Sequence, residues 1–323
     1  MSFQPSGIGA NGADDTFRHE ALLYAGTADL VPRLATFLRE GIVAEEPALV
    51  VLSAAKIELL RAALTDTDDR QIRYADMAVI GHNPARIIPA WRQFVDEHRG
   101  EGRLRGIGEP IWAGRTADEL VECERHEALL NLALAGADMW LACPYDVLSL
   151  PASVIDEASR THPLVWEGDV HREGRGYRGT GDVARPFDRS LSEPAGAVRE
   201  LAFGPGEVGE VRAFVVAGAG AAGLGPRRTQ DLVLAASEVV TNSLLHGGGR
   251  GVIRVWRHGE SVACEVRDRG RFDRPLAGRE RPAAGQRSGF GLWLANQVCD
   301  LVQIRSVESG SVVRLLMSLR DLS

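Results

Sequence analysis

The chain has 323 residues, 45% of them hydrophobic and 25% charged, with a formal net charge of −7. That length points to two domains rather than one core, and the acidic balance argues against nucleic acid as a direct partner. Lys56 is the single lysine, and Ser53-Ala54-Ala55-Lys56-Ile57-Glu58 around it excludes both a P-loop and the strand lysine of an ordinary protein kinase.

Residues 1–17 are rich in Gly, Asp and Ser and are expected as a flexible tail. Strand and helix signals then alternate over residues 18–167. Leu22–Tyr24 reads as a strand, followed by Gly26-Thr27 and a helix to about Arg39. Ala48–Leu52 is a continuous apolar run of the buried parallel-sheet kind. A helix over Lys56–Leu64 and a strand over Ile72–Val79 come next. Asn83-Pro84 fits an N-cap with proline at the first helical position, opening a helix to about His98. Leu104–Ile107 and Met139–Cys143 read as strands, Thr116–Ala135 and Pro151–Arg160 as helices. Repeated βα units of this length predict a doubly wound α/β domain.

Residues 168–194 hold Gly168, Gly174, Gly176, Gly179, Gly181, Pro186 and Pro194 among charged side chains, without a hydrophobic period; that is linker composition. A second domain is expected over residues 195–323. Its elements are a strand at Arg199–Phe203, a helix at Glu207–Ala217 and a long helix at Arg227–Leu245. A hairpin spans Gly251–Asp268, turning near His258-Gly259, and an Arg-, Gly- and Pro-rich loop spans Gly270–Ser288. Phe290–Asp300 is helical, and strands at Leu301–Ser306 and Ser311–Leu319 close the pattern. Helices set apart from a hairpin-built sheet predict an α/β sandwich. Residues 195–323 hold 17 arginines against 13 carboxylates, and residues 1–194 hold 20 basic against 31 acidic residues. A basic module beside an acidic one suits a polyanionic ligand such as a nucleotide. Cys123, Cys143, Cys264 and Cys299 lack metal-finger spacing and sit in apolar stretches, as structural thiols do. Neither a secretory leader nor a membrane span is expected, and a cytoplasmic location is.

Three motifs in the second domain carry chemistry. On the long helix, Glu238 and Asn242 stand four apart and share a face, distinct from the apolar one made by Leu232, Ala235, Ala236, Val239, Val240 and Ser243. A neutral amide oxygen can ligate Mg²⁺ while the carboxylate beside it orients or deprotonates a hydroxyl. Val266-Arg267-Asp268-Arg269-Gly270 ends the hairpin with a carboxylate able to accept from an exocyclic amine, and Gly270 lets backbone approach a base. Arg287-Ser288-Gly289-Phe290-Gly291-Leu292-Trp293-Leu294 is a Gly-rich turn running into a helix, whose N–H groups bind phosphate without a lysine.

In order, context and spacing these motifs, over roughly Arg199–Leu319, resemble the GHKL (Bergerat) ATPase superfamily, and within it the anti-sigma-factor serine kinases. The resemblance implies ATP and Mg²⁺ as cofactors, Glu238 as general base and Asn242 as magnesium ligand. It makes Asp268 the adenine contact, with Gly270, Gly289 and Gly291 shaping the nucleotide pocket. Arg271 departs from the pattern, since many members carry a second glycine there. His246 and Arg250 lie near the helix end, within reach of phosphate or as surface residues, and Arg212 occupies the place of a partner-contacting arginine. The implied activity is a serine/threonine kinase acting on a STAS-type anti-sigma antagonist, with a sigma factor as a further partner and a homodimer left open. Two rivals are a non-catalytic module that sequesters a sigma factor when ATP orders its lid, and a sensor histidine kinase.

Residues 17–165 resemble the MEDS sensory domains through His126-Glu127-Ala128-Leu129-Leu130-Asn131, Cys143-Pro144-Tyr145-Asp146 and Thr161-His162-Pro163. The resemblance implies a RecA-like fold without a working P-loop, sensing a small-molecule ligand. His126-Glu127 mimics the phosphoacceptor box of a sensor kinase. It sits among βα units, far from the ATPase domain, where such a histidine does not work. Cys143 and Tyr145 are candidates for a ligand pocket or for packing, and His162-Pro163 reads as a helix stop.

Overall fold

The computed structural model describes residues 16–181, 183, 187, 189–283 and 289–320. Outside them lie residues 1–15 of the expected tail, 182, 184–186 and 188 of the expected linker, 284–288 of the loop before Gly289, and 321–323 at the end of the expected second domain.

The N-terminal domain is built on β1 (Phe17–Tyr24), α1 (Thr27–Val43), β2 (Ala48–Leu52), α2 (Ala54–Ala63), β3 (Ile72–Asp76), α3 (Met77–Ile80), α4 (Ile87–Glu97), β4 (Leu104–Gly108), α5 (Ala117–Ala133), β5 (Met139–Asp146), α6 (Ala152–Thr161), β6 (Leu164–Glu167) and β7 (Val170–Glu173). The seven strands form one sheet in the order β3-β2-β4-β5-β1-β6-β7, parallel except for the last pair. Both faces are covered, which is why β2 is buried at every residue. Its Leu49 and Val51 join a core with Trp91 and Phe94 of α4. Its Ala48, Val50 and Leu52 pack instead with Leu34 and Phe37 of α1 and Leu60 of α2.

Local chemistry sets several boundaries. The strand expected over residues 72–79 stops at Asp76, whose carboxylate accepts from Ala78 N at 2.9 Å and turns the chain into α3. Asn83 caps Ala85 N at 3.0 Å, but the turn it opens, Pro84–Arg86, is a 3₁₀ helix that only then leads into α4. Thr116 and Glu119 form a reciprocal capping box at the start of α5. Two strands escape the sequence reading. The short β6 sits beside β1, and β7 pairs with β6 inside the expected linker, where its side chains show no apolar alternation; His171 stacks on Trp166 and reaches Glu20 at 3.0 Å, and Arg172 pairs with Glu167 at 3.1 Å. Val183 and Phe187 from the same stretch are buried against the core.

The C-terminal domain comprises β8 (Arg199–Phe203), α7 (Val208–Ala221), α8 (Pro226–His246), β9 (Gly251–His258), β10 (Ser261–Asp268), α9 (Phe290–Val298), β11 (Leu301–Val307) and β12 (Gly310–Ser318). The five strands run antiparallel in the order β11-β12-β10-β9-β8. One face packs Val262, Cys264 and Val266 against helical residues including Val211, Val215, Leu232, Val239 and Ala295. The other face is a charged ladder: Glu265 pairs with Arg314 at 2.7 Å and with Arg254 at 3.2 Å, and Glu193 reaches Arg254 and Arg267 at 3.0 and 2.6 Å. The turn between β11 and β12 admits only glycine at 310, where a methyl would stand 1.8 Å from Asp268 O and φ is 142°.

The domains are packed on each other. Arg86 donates to the carbonyls of Asn296 and Gln297 at 2.8 and 2.5 Å, at the C-terminal end of α9, and Asn83 donates to Cys299 O at 3.3 Å. His82 reaches Asp300 at 2.9 Å, and His258 reaches Asp118 of α5 at 3.0 Å. Among the described residues, no helix is long and apolar enough to cross a membrane.

Candidate functional site

Helix α8 buries Leu232, Ala235, Ala236, Val239, Val240 and Ser243, the face that its spacing predicts. That orientation leaves Glu238 and Asn242 half-buried along another face. Gly291, in the first turn of α9, lies directly over them. A methyl built on Gly291 would stand 2.9 Å from Asn242 Nδ2 and 3.0 Å from Glu238 Oε2. Close approach of the two helices therefore requires glycine here. Gly289 caps α9 in a left-handed conformation, φ 95°, which turns the chain so that the first N–H groups of the helix are left without intrahelical partners.

Asp268 ends β10 and faces the C-terminal end of α8. Its Oδ1 accepts from Gly270 N at 2.8 Å and from Ser311 Oγ at 2.6 Å. Oδ2 stands against Gly247, where a methyl would come within 2.3 Å of it. Both protein hydrogen bonds fall on one oxygen, so the second is the natural acceptor for a ligand amine. Gly270 itself is crowded: a methyl there would lie 3.0 Å from Asp268 Oδ1 and 3.1 Å from Gly247 Cα. Of the six residues singled out from sequence, Glu238, Asn242 and Gly291 thus meet at one end, with Gly289 two residues away at the cap of α9. Asp268 and Gly270 meet at the other end, and α8 connects the two groups. Arg212 is exposed on α7 with its Nε 3.0 Å from Ser237 Oγ; His246 and Arg250 are exposed.

The loop after β10 is fastened to both domains. Asn296 of α9 donates from Nδ2 to Gly278 O at 2.9 Å, while on the N-terminal side Arg92 pairs with Glu280 at 2.5 Å and Leu276 packs on the larger core. A cavity of about 150 Å³ lies where Glu122 and Arg125 meet Phe272, Arg279 and Ile304. A larger open trough, about 1060 Å³, is lined by Asp268 together with Arg250, Arg267, Arg269, Phe203 and Glu308. It includes none of Glu238, Asn242, Gly289 or Gly291. It follows the rim of the small sheet, so the helix contacts locate the candidate site better than cleft size does.

In the N-terminal domain, Lys56 is engaged with the buried Glu109, at 2.5 and 2.6 Å from its two oxygens, and with Tyr24 Oη at 2.7 Å. That half-buried lysine is an ion-pair partner. His126 is 1% exposed, and burial pushes its pKa down to about 3, so it is not presented to solvent as a phosphoacceptor must be. Cys143 and Tyr145 are both buried in the core, and His162 is the residue at which α6 stops. Sequence reading missed the partners of these residues. His19, Glu127, Cys143 and His162 form one buried group, and Glu122, Arg279 and Arg305 another. Their members lie far apart in the chain, so no local spacing announces them.

Two family profiles match the chain. Residues 18–163 match the methanogen/methylotroph, DcmR sensory domain (MEDS), and residues 201–317 match the histidine kinase-like ATPase domain. No curated protein matches. Among solved structures, the RsbU and RsbW domains of Rv1364c from Mycobacterium tuberculosis are 21% identical to this chain, over 37% of it and 32% of that chain, with a TM-score of 0.28. The match spans about a third of that chain, and a superposition of this quality carries no fold argument.

Proposed function

From a chain that carries a MEDS domain ahead of a histidine kinase-like ATPase domain, we propose an ATP-dependent regulator that phosphorylates a serine or threonine of a STAS-type anti-sigma antagonist under control of its N-terminal half. The observation that carries this reading is the contact of Gly291 with Glu238 and Asn242, which sets a carboxylate and a side-chain amide beside a helix N-terminus. These residues fit MgATP: an amide oxygen for the ion, unengaged N–H groups for phosphate, and Asp268 Oδ2 for the adenine amine. Bound, MgATP would supply the transferable γ-phosphoryl group. Glu238 would then take the proton of the attacking hydroxyl, and Asn242 would hold Mg²⁺. Gly270, Gly289 and Gly291 would keep the walls of the site free of side chains.

Residues 18–167 and 195–323 are the proposed sensory and kinase domains, in the cytoplasm, with a small-molecule ligand taken by the first. A RecA-like relationship for the first is supported by its parallel sheet with helices on both faces. A second reading is favoured by the loop contacts to the N-terminal domain: nucleotide binding would reposition that loop and so control sequestration of a sigma factor, without transfer. Incubating the protein with γ-labelled ATP and the STAS-type proteins of the same genome, then mapping the labelled residue by mass spectrometry, separates the two. Label on a partner serine or threonine supports the kinase, and nucleotide-dependent sigma-factor binding without label supports the second reading. Acid-labile label on a histidine of this chain removes both.

A further inference from the structure

Four side chains from four elements converge inside the N-terminal domain: His19 of β1, Glu127 of α5, Cys143 of β5, and His162 at the end of α6. All four are closed off from solvent, and their donor atoms lie within 4.8 Å of one another. His19 Nε2 is 3.3 Å from both Glu127 Oε2 and Cys143 Sγ, and His162 Nε2 is 3.4 Å from the same carboxylate oxygen. Tetrahedral zinc with bonds of about 2.0–2.3 Å sets neighbouring donors roughly 3.3–3.7 Å apart; these three pairs have that spacing, and an ion would draw in the remaining donors, which lie within 4.8 Å.

The surroundings fix the histidine tautomers. Asn131 donates its amide N–H to Thr161 O at 2.7 Å, so its Oδ1, 3.0 Å from His19 Nδ1, is an acceptor and Nδ1 carries the proton. His162 Nδ1 lies 2.9 Å from the carbonyl of Ala158, which can only accept. Each neutral imidazole therefore turns an Nε2 lone pair toward the Glu127 carboxylate. Both Glu127 oxygens and His162 Nε2 have no hydrogen-bond partner among the described residues. Lone pairs converging on an anion in a dry interior are costly, and a cation among them converts that repulsion into coordination. Protonating one ring instead would pair it with Glu127 but leave the other Nε2 lone pair facing the same oxygen, and protonating both would hold two imidazolium ions with centroids 4.1 Å apart.

We propose that these four residues form a metal site taking one Zn²⁺ per chain through His19 Nε2, His162 Nε2, Glu127 and Cys143 Sγ. A thiolate and two imidazoles select a borderline-soft ion over Mg²⁺ or Ca²⁺. Ring N–H groups held by an amide and a carbonyl oxygen are the usual outer support of such ligands. Four protein donors with no open position make the site structural, and its binding energy contributes to folding. On binding, the Cys143 thiol proton passes to solvent; the carboxylate and the neutral histidines release none. The ion ties β1, α5, β5 and α6 together, and α5 is also the helix that carries Glu122 into the domain interface.

The test uses the full chain and does not depend on kinase activity. Metal content is measured by plasma mass spectrometry on protein expressed in zinc-supplemented medium. Melting of the chelator-stripped chain is then followed with and without added Zn²⁺, and the visible spectrum is recorded after Co²⁺ replacement. Expected are about one zinc per chain, a higher melting temperature on adding Zn²⁺, and intense tetrahedral cobalt bands with thiolate charge transfer. Cys143→Ser should abolish the charge-transfer band, whereas Cys123→Ala, on the same buried side of the domain, should keep it. A folded wild-type chain without zinc, with no melting shift and no cobalt bands, overturns the site. So does a charge-transfer band that survives Cys143→Ser.

Discussion

Arg279, from the loop that follows β10, donates to Glu122 of α5 at 2.9 Å, and both side chains are buried. Glu122 also pairs with Arg305 of β11 at 2.7 Å. One carboxylate of the MEDS domain thus bridges two guanidinium groups of the ATPase domain. Desolvation draws the Arg279 pKa down to about 10, with Glu122 opposing it.

Glu122→Gln keeps the shape and removes the charge, leaving two buried arginines uncompensated. Urea unfolding of the full chain should show a loss of about 3–5 kcal/mol. Because the pair is closed to solvent, raising salt should change that loss little. An effect below ~1 kcal/mol would mean that the interface opens in solution.

Asp268→Asn tests the proposed adenine contact. It retains an oxygen for Ser311 and Gly270 but offers an N–H where the ligand amine needs an acceptor. Calorimetric titration should show ATP affinity falling by roughly 1–3 kcal/mol, with melting of the free protein little changed. Wild type should discriminate against GTP, whose base presents a carbonyl at that position.

Glu238→Gln and Gly291→Ala should separate chemistry from binding. The first should leave ATP affinity within about twofold and cut transfer by roughly 10²–10⁴ if Glu238 is the base. The second places a methyl 2.9 Å from Asn242 Nδ2, so the helices must part; ATP affinity should fall about tenfold, with a stability cost near 1–3 kcal/mol. Undiminished transfer by Glu238→Gln would remove it from the proton path.

Glu124 on α5 has its pKa pushed up to about 7, first by burial and then by the neighbouring charge of Glu157. An unfolded glutamate titrates near 4.5, so between these values the folded chain binds the additional proton. Stability should therefore fall as pH rises from about 4.5 through about 7, and the full loss persists above that. Glu124→Gln should melt above wild type at pH 8 and converge with it toward pH 4.

Much of this architecture is legible in the sequence, and the illegible parts share a cause. Ala48–Leu52 is a strand because its unbroken apolar run has only one solution, and Arg199–Phe203 and the hairpin to Asp268 follow from alternation and a glycine turn. The face of α8 follows from helical spacing, which also leaves Glu238 and Asn242 together. By contrast, α5 carries Glu122, Arg125, His126 and Glu127, side chains whose type gives no signal of burial, yet all four are buried. Their burial depends on a second domain and on partners more than a hundred residues away, such as Arg305 and His19. Strand β7 is invisible for a related reason: backbone pairing with β6 needs no side-chain period.

Arg86 finishes α9 from outside. The last carbonyls of that helix meet a guanidinium supplied by the other domain, at the end where the helix dipole is negative. The helix that begins at Gly289 and Gly291 is therefore completed only when the whole chain is present. A fragment cut at the linker would start with this helix frayed at its far end. Any change in its nucleotide affinity would report a lost cap before it reported lost regulation.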